Sequence, residues 1–74
     1  MPEWEFLHKF GKYNKENPAG RRGQNLFNFA HELFGGKFTE SLDWEYSGPL
    51  DPYYHDSNIP RFMEHLRKTE CLTD

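Results

Sequence analysis

The chain holds no valine and a single isoleucine, Ile59, beside seven leucines. β-branched residues suit the pleated, half-buried surface of a sheet. Their near absence steers the fold towards helices, and core volume then has to come from rings. Seven Phe, two Trp and four Tyr stand among 74 residues. Each large aromatic hides roughly 150–250 Å² when buried, so a few replace many aliphatics. The rings also argue against disorder, despite a mean hydropathy of −1.01. Disordered chains lack the apolar surface that offsets ordering entropy.

Periodicity gives three helices. The first is expected over about residues 2–13, where Trp4, Leu7 and Phe10 form one row and Phe6, Phe10 and Tyr13 a second. Pro2 suits a first turn, Glu3 and Glu5 favour the positive helix end, and Gly11 or Asn14 is a candidate stop. Residues 14–23 read as a linker. The second helix is expected over about residues 22–34, with Leu26, Phe29, Ala30 and Leu33 at i, i+3, i+4 and i+7 and Gly35-Gly36 as its stop. The third, about 59–68, repeats that stripe with Ile59, Phe62, Met63 and Leu66, capped by Asp56, Ser57 or Asn58. The expected core is Trp4, Leu7, Phe10, Leu26, Phe29, Leu33, Phe62 and Leu66. The tail after Lys68 is expected to fray.

Between the second and third helices the period changes. Phe38, Leu42, Trp44 and Tyr46 share one parity, and Thr39, Ser41, Asp43, Glu45 and Ser47 the other. Such alternation marks a strand or an extended arm over about residues 38–47, with a short helix begun by Thr39 as the other reading. Gly48-Pro49 and Asp51-Pro52 then signal turns in a loop over 48–58. The fold class is therefore mainly α: one small three-helix domain with an extended or strand-like insert between helices 2 and 3. A chain this short hides only about 60% of its unfolded surface, so its stability is modest.

Charge is unevenly spread around a net −3. Lys9, Lys12, Lys15, Arg21 and Arg22 face only Glu16 within residues 9–22, whereas Glu40, Asp43, Glu45, Asp51 and Asp56 face no lysine or arginine within 38–60. Such a dipole bears on partners and encounter rates. Cys71 stands alone, which excludes an internal disulfide and suits a reduced, cytoplasmic protein. Residues 1–10 are acidic and aromatic, unlike a secretory signal, and no apolar run is long enough to span a membrane.

Chemistry-bearing motifs are weak. His8, His31, His55 and His65 show no recognised zinc spacing, so no metal or other cofactor is expected. Ser41, Ser47 and Cys71 have no local motif that joins them to His55 or His65 as nucleophile and base. No catalytic residues are expected, and the chain reads as a non-enzyme. Gly20-Arg21-Arg22-Gly23 places bases at a helix start, against the local dipole. With Lys9, Lys12 and Lys15 it offers an alternative reading as a phosphate or nucleic-acid site, although the patch is small for nucleic acid.

The leading expectation is a protein-binding face on the aromatic, acidic middle segment. Trp44, Tyr46, Tyr53 and Tyr54 would anchor it, with Trp44 shared between core and face. Tyrosine offers a large rigid area with a polar tip, which interfaces favour. Glu40, Asp43, Glu45, Asp51 and Asp56 would steer it towards a basic surface on a larger protein partner. Steric occlusion, as by an inhibitor or accessory protein, is the mechanism such a face implies.

Overall fold

Three helices carry the chain in the computed structural model, which describes residues 1–73. Helix α1 spans Glu3–Glu16, α2 spans Arg22–Phe34, and α3 spans Ile59–Lys68, entered through a 3-10 turn at Asp56–Asn58. The limits of α2 and α3 agree with their apolar stripes. Helix α1 runs further than expected, because neither Gly11 nor Asn14 stops it. It ends at Asn17, whose backbone N–H donates to the Asn14 carbonyl and whose side chain donates to the Tyr13 carbonyl at 2.8 Å.

Of the two apolar rows on α1, the one at i, i+4 and i+7 is buried. Phe6 and Phe10 are buried and Tyr13 half-buried, whereas Trp4 is 69% exposed and Leu7 44%. Leu33 is also exposed. Trp4, Leu7 and Leu33 are therefore corrected from core to surface. The remaining expected core residues hold, and Phe38 joins them fully buried.

Helix α2 lies between two groups of rings. On one side Phe29 packs on Phe6, Phe10 and Tyr13 of α1, at centroid separations of 5.4, 6.0 and 5.0 Å. On the other, Phe27 meets Phe38 at 5.8 Å and Trp44 at 6.0 Å, and Phe38 meets Phe62 of α3 edge-on at 5.3 Å. Tilted and edge-on pairs of this kind add about 0.5–1.5 kcal/mol each beyond area burial. The scarcity of branched aliphatics is met by this ring packing.

Residues 38–47 are not extended. They fold into successive turns, closed by backbone bonds from Thr39 N to Gly36 O, Trp44 N to Ser41 O and, just beyond, Gly48 N to Glu45 O. A lone strand has no neighbour to pair its backbone groups, and turns pair them locally. The parity pattern fails with it: Phe38 is buried, Trp44 half-buried, and Leu42 stands fully in solvent.

The tail does not fray over its described residues. Glu70 adopts φ 62°, Glu70 N bonds Arg67 O, and Cys71 N bonds Leu66 O at 2.9 Å. This is a Schellman ending built without glycine. It turns Cys71 and Leu72 into the core. Thr73 then pairs with the first residues, its N–H donating to Met1 O at 2.8 Å and its carbonyl accepting from Glu3 N at 2.9 Å. Glu3 also receives a two-pronged bond from Arg67, at 2.6 and 3.0 Å. The two ends of the described chain are clasped together.

Candidate protein-binding groove

The loop between the turns and α3 is shaped by carboxylates and carbonyls turned inward. Asp51 is only 3% exposed. Its Oδ2 accepts from Ser47 N at 2.8 Å and its Oδ1 from Tyr53 N at 2.9 Å. One carboxylate thus clips the chain before the turn to the chain after it. Asn58, also buried, donates to the Asp51 carbonyl at 3.0 Å and the Gly48 carbonyl at 3.2 Å. It therefore ties the loop to α3 instead of capping the helix with its side chain.

The start of α2 holds the other side of the loop. Its first turn contains no acid. Asp56 supplies one from a distance: Oδ1 accepts from Gly23 N at 3.0 Å and lies 3.7 Å from Arg21 Nη1. The Arg21 guanidinium donates to the Tyr54 carbonyl at 2.8 Å and also to the Tyr53 carbonyl. Gln24 donates to the Tyr53 hydroxyl at 3.2 Å. Gly23 permits this approach, because a Cβ there would stand 2.2 Å from the Pro52 carbonyl oxygen. The anion-binding capacity expected at Arg21 is filled by the protein's own carboxylate and carbonyls.

These ties bring three of the expected anchors together. Tyr46, Tyr53 and Tyr54 line one open groove of about 240 Å³ with Phe27, Ser47 and Asp51. Tyr46 and Tyr54 are 66% and 59% exposed. Tyr53 packs edge-on to Tyr54 at 4.8 Å and to Phe27 at 5.7 Å. Trp44 stands behind, edge-on to Tyr46 at 6.0 Å and packed on Phe38 and Phe62. Phe27 joins the groove to the core, a part that sequence reasoning did not assign to it. Its neighbours in the groove lie 19 to 27 positions away, so no local pattern marks it.

The acids divide. Glu40, Asp43 and Glu45 are exposed, and Asp43 lies 3.6 Å from Lys68 of α3. Asp51 is withdrawn from any steering surface by burial, and Asp56 is engaged at α2. The bases divide too. Lys9 pairs with Glu5 at 3.2 Å, Arg22 stacks over Phe10 with Cζ 5.2 Å from the ring centre, and Arg21 is latched to the loop. Lys12 and Lys15 remain exposed on α1.

A second hollow, of about 380 Å³, is lined by Asp43, Leu50, Arg61, Glu64, His65 and Lys68. His65 is buried there, with Nε2 2.8 Å from the Phe38 carbonyl. A carbonyl only accepts, so Nε2 donates this bond and Nδ1 is the other ring nitrogen. Among the described residues, that Nδ1 and the Trp44 Nε1 have no hydrogen-bond partner. Charges of both signs surround this hollow, whereas the tyrosine groove is mainly apolar.

No protein-family model, curated protein or solved structure matches the chain. Among the described residues no three His, Cys, Asp or Glu side chains form a metal-binding group. Among the described residues no helix is long and apolar enough to cross a membrane.

Proposed function

We propose that this is a small, non-enzymatic, cytoplasmic binding protein. It docks the groove of Tyr46, Tyr53 and Tyr54 onto a larger protein and blocks that partner sterically, as an inhibitor or accessory factor. The observation that carries this reading is the convergence of the three tyrosines on one open groove. The backbone that carries them is tied by Asp51 and Arg21, which lowers the ordering entropy lost on docking. Rigid tyrosines on an ordered loop are favoured anchors. Glu40, Asp43 and Glu45, exposed on the neighbouring turns, set orientation and on-rate against a basic partner. Asp51 and Asp56 contribute by shaping the loop.

The test compares the wild-type chain with a Tyr46→Ala/Tyr54→Ala variant as affinity baits in a cell lysate. Both side chains are mostly exposed, so the variant keeps its fold, as circular dichroism checks. The reading expects proteins retained by the wild type and lost from the variant. Equal retention by both sinks it. Retention of nucleic acid that weakens steeply with salt would favour the alternative module on Lys9, Lys12, Lys15, Arg21 and Arg22.

A further inference from the structure

Helix α1 carries a second row of residues that the fold leaves in solvent. Trp4, Leu7 and Gly11 fall at i, i+3 and i+7 on one flank of the helix, with His8 beside them. All four are exposed. Gly11 lies in the interior of a 14-residue helix, where glycine is a poorer choice than alanine. Nothing in the described chain requires it, since a Cβ there would meet no atom within 4 Å. A local rule broken without an internal gain marks a position with another duty. Here the missing side chain leaves a notch in an exposed, apolar row.

The charges of α1 are sorted along its axis. Glu3 and Glu5 stand in the first turn, and Lys9, Lys12 and Lys15 follow. Lys9 pairs with Glu5, but among the described residues Lys12 has no ion-pair partner. A helix sorted in this way is complementary to its own reverse, in side-chain charge and in dipole. An antiparallel pairing centred between Leu7 and His8 sets Trp4 of each copy level with Gly11 of the other, and Leu7 level with His8. It also brings Glu5 of one copy within about 3 Å, along the axis, of Lys12 of the other. Two-fold symmetry repeats each contact.

We propose that the outer face of α1 binds a second copy of this chain in antiparallel register, with the Trp4 ring of each copy seated on Gly11 of the other. One helix face is small beside the roughly 1,600 Å² of a standard interface. The dimer is therefore weak, and the chain is a monomer in dilute solution. This surface is separate from the tyrosine groove and does not depend on the docking reading.

The test is sedimentation equilibrium of the full chain from about 10 μM to about 1 mM, because self-association follows concentration. The mean mass is expected to rise from 8.9 kDa towards twice that value. Gly11→Gln fills the notch with a better helix former. It is expected to stay monomeric throughout while its melting temperature in dilute solution rises, which separates lost association from a lost fold. Lys12→Glu is expected to weaken association roughly fivefold, and Glu5→Lys added to it to regain the loss. A wild-type mass of 8.9 kDa at every concentration, a dimer that survives Gly11→Gln, or a charge swap that regains nothing overturns the proposal. So does a Tyr46→Ala/Tyr54→Ala variant that fails to dimerise, since the contact then lies at the groove.

Discussion

Replacing Asp56 with alanine tests how the loop is held, because Asp56 stands in for the acid that the first turn of α2 lacks. Two interactions are lost. The Gly23 amide loses its acceptor at 3.0 Å, and removing a side-chain acceptor at a helix N-terminus costs about 1 kcal/mol. The pair with Arg21 at 3.7 Å is also lost. Both partners are about half exposed there, so the pair contributes roughly 0.2–1 kcal/mol. The expected total is about 1–2 kcal/mol. In a domain of this size each kcal/mol moves Tm by about 4–8 °C. Asp56→Asn separates the parts, since the amide oxygen still accepts from Gly23 while the ion pair disappears. It should lose less than half as much, and only that smaller loss should shrink in high salt. Urea denaturation followed by tryptophan fluorescence measures all three proteins. An Asp56→Ala variant within about 0.3 kcal/mol of wild type, well below the loss of a cap, would refute the latch. So would an Asp56→Asn variant as unstable as the alanine one.

Further outcomes follow from the ends of the helices and the surface of α1. Glu70 holds φ 62° without being glycine, so Glu70→Gly should stabilise the fold by about 1 kcal/mol in a thermal melt. Phe6→Ala should cost about 3–5 kcal/mol, while Trp4→Ser and Leu7→Ser should each stay within about 0.5 kcal/mol; reversed sensitivities would return the other row of α1 to the core. The hydrogen bonds from Arg67 lower the Glu3 carboxyl below its ordinary range, with the Arg67 charge adding to this. A depressed carboxylate contributes stability that is present above its unfolded value and lost as pH falls through the folded one. Glu3→Gln should therefore flatten the stability profile on the acid side by less than about 1 kcal/mol, the pair being partly exposed, and change nothing in its shape near neutrality.

The stripes on α2 and α3 were legible because each helix has one apolar face and a boundary signal, the Gly35-Gly36 stop after α2 and the polar residues 56–58 before α3. Helix α1 was ambiguous for a physical reason. Trp4, Phe6, Leu7, Phe10 and Tyr13 cover much of its circumference, and only contact with Phe29 and Phe34 decides which side turns inward. The alternation over residues 38–47 suggested a strand, but a strand needs a partner, and the chain has little else that favours a sheet. The C-terminal turn escaped notice because its left-handed residue is Glu70, where glycine would have given it away. At the groove, the tyrosines were recognisable from their type and their neighbours. The duties of Asp51, Asp56 and Arg21 were not. Asp56 serves an amide 33 positions away, and Arg21 carbonyls 32 and 33 positions away. A base opposing a helix dipole was a true signal of conflict, resolved inside the molecule.

Hydrogen–deuterium exchange on the chain bound to a protein recovered with it most directly tests the groove as the working surface. The account predicts slowed exchange across residues 46–54, with Tyr46, Tyr53 and Tyr54 at its centre, and little change on the outer face of α1. Protection confined to α1 around Trp4, Leu7 and Lys12, with residues 46–54 exchanging as in the free chain, would contradict it.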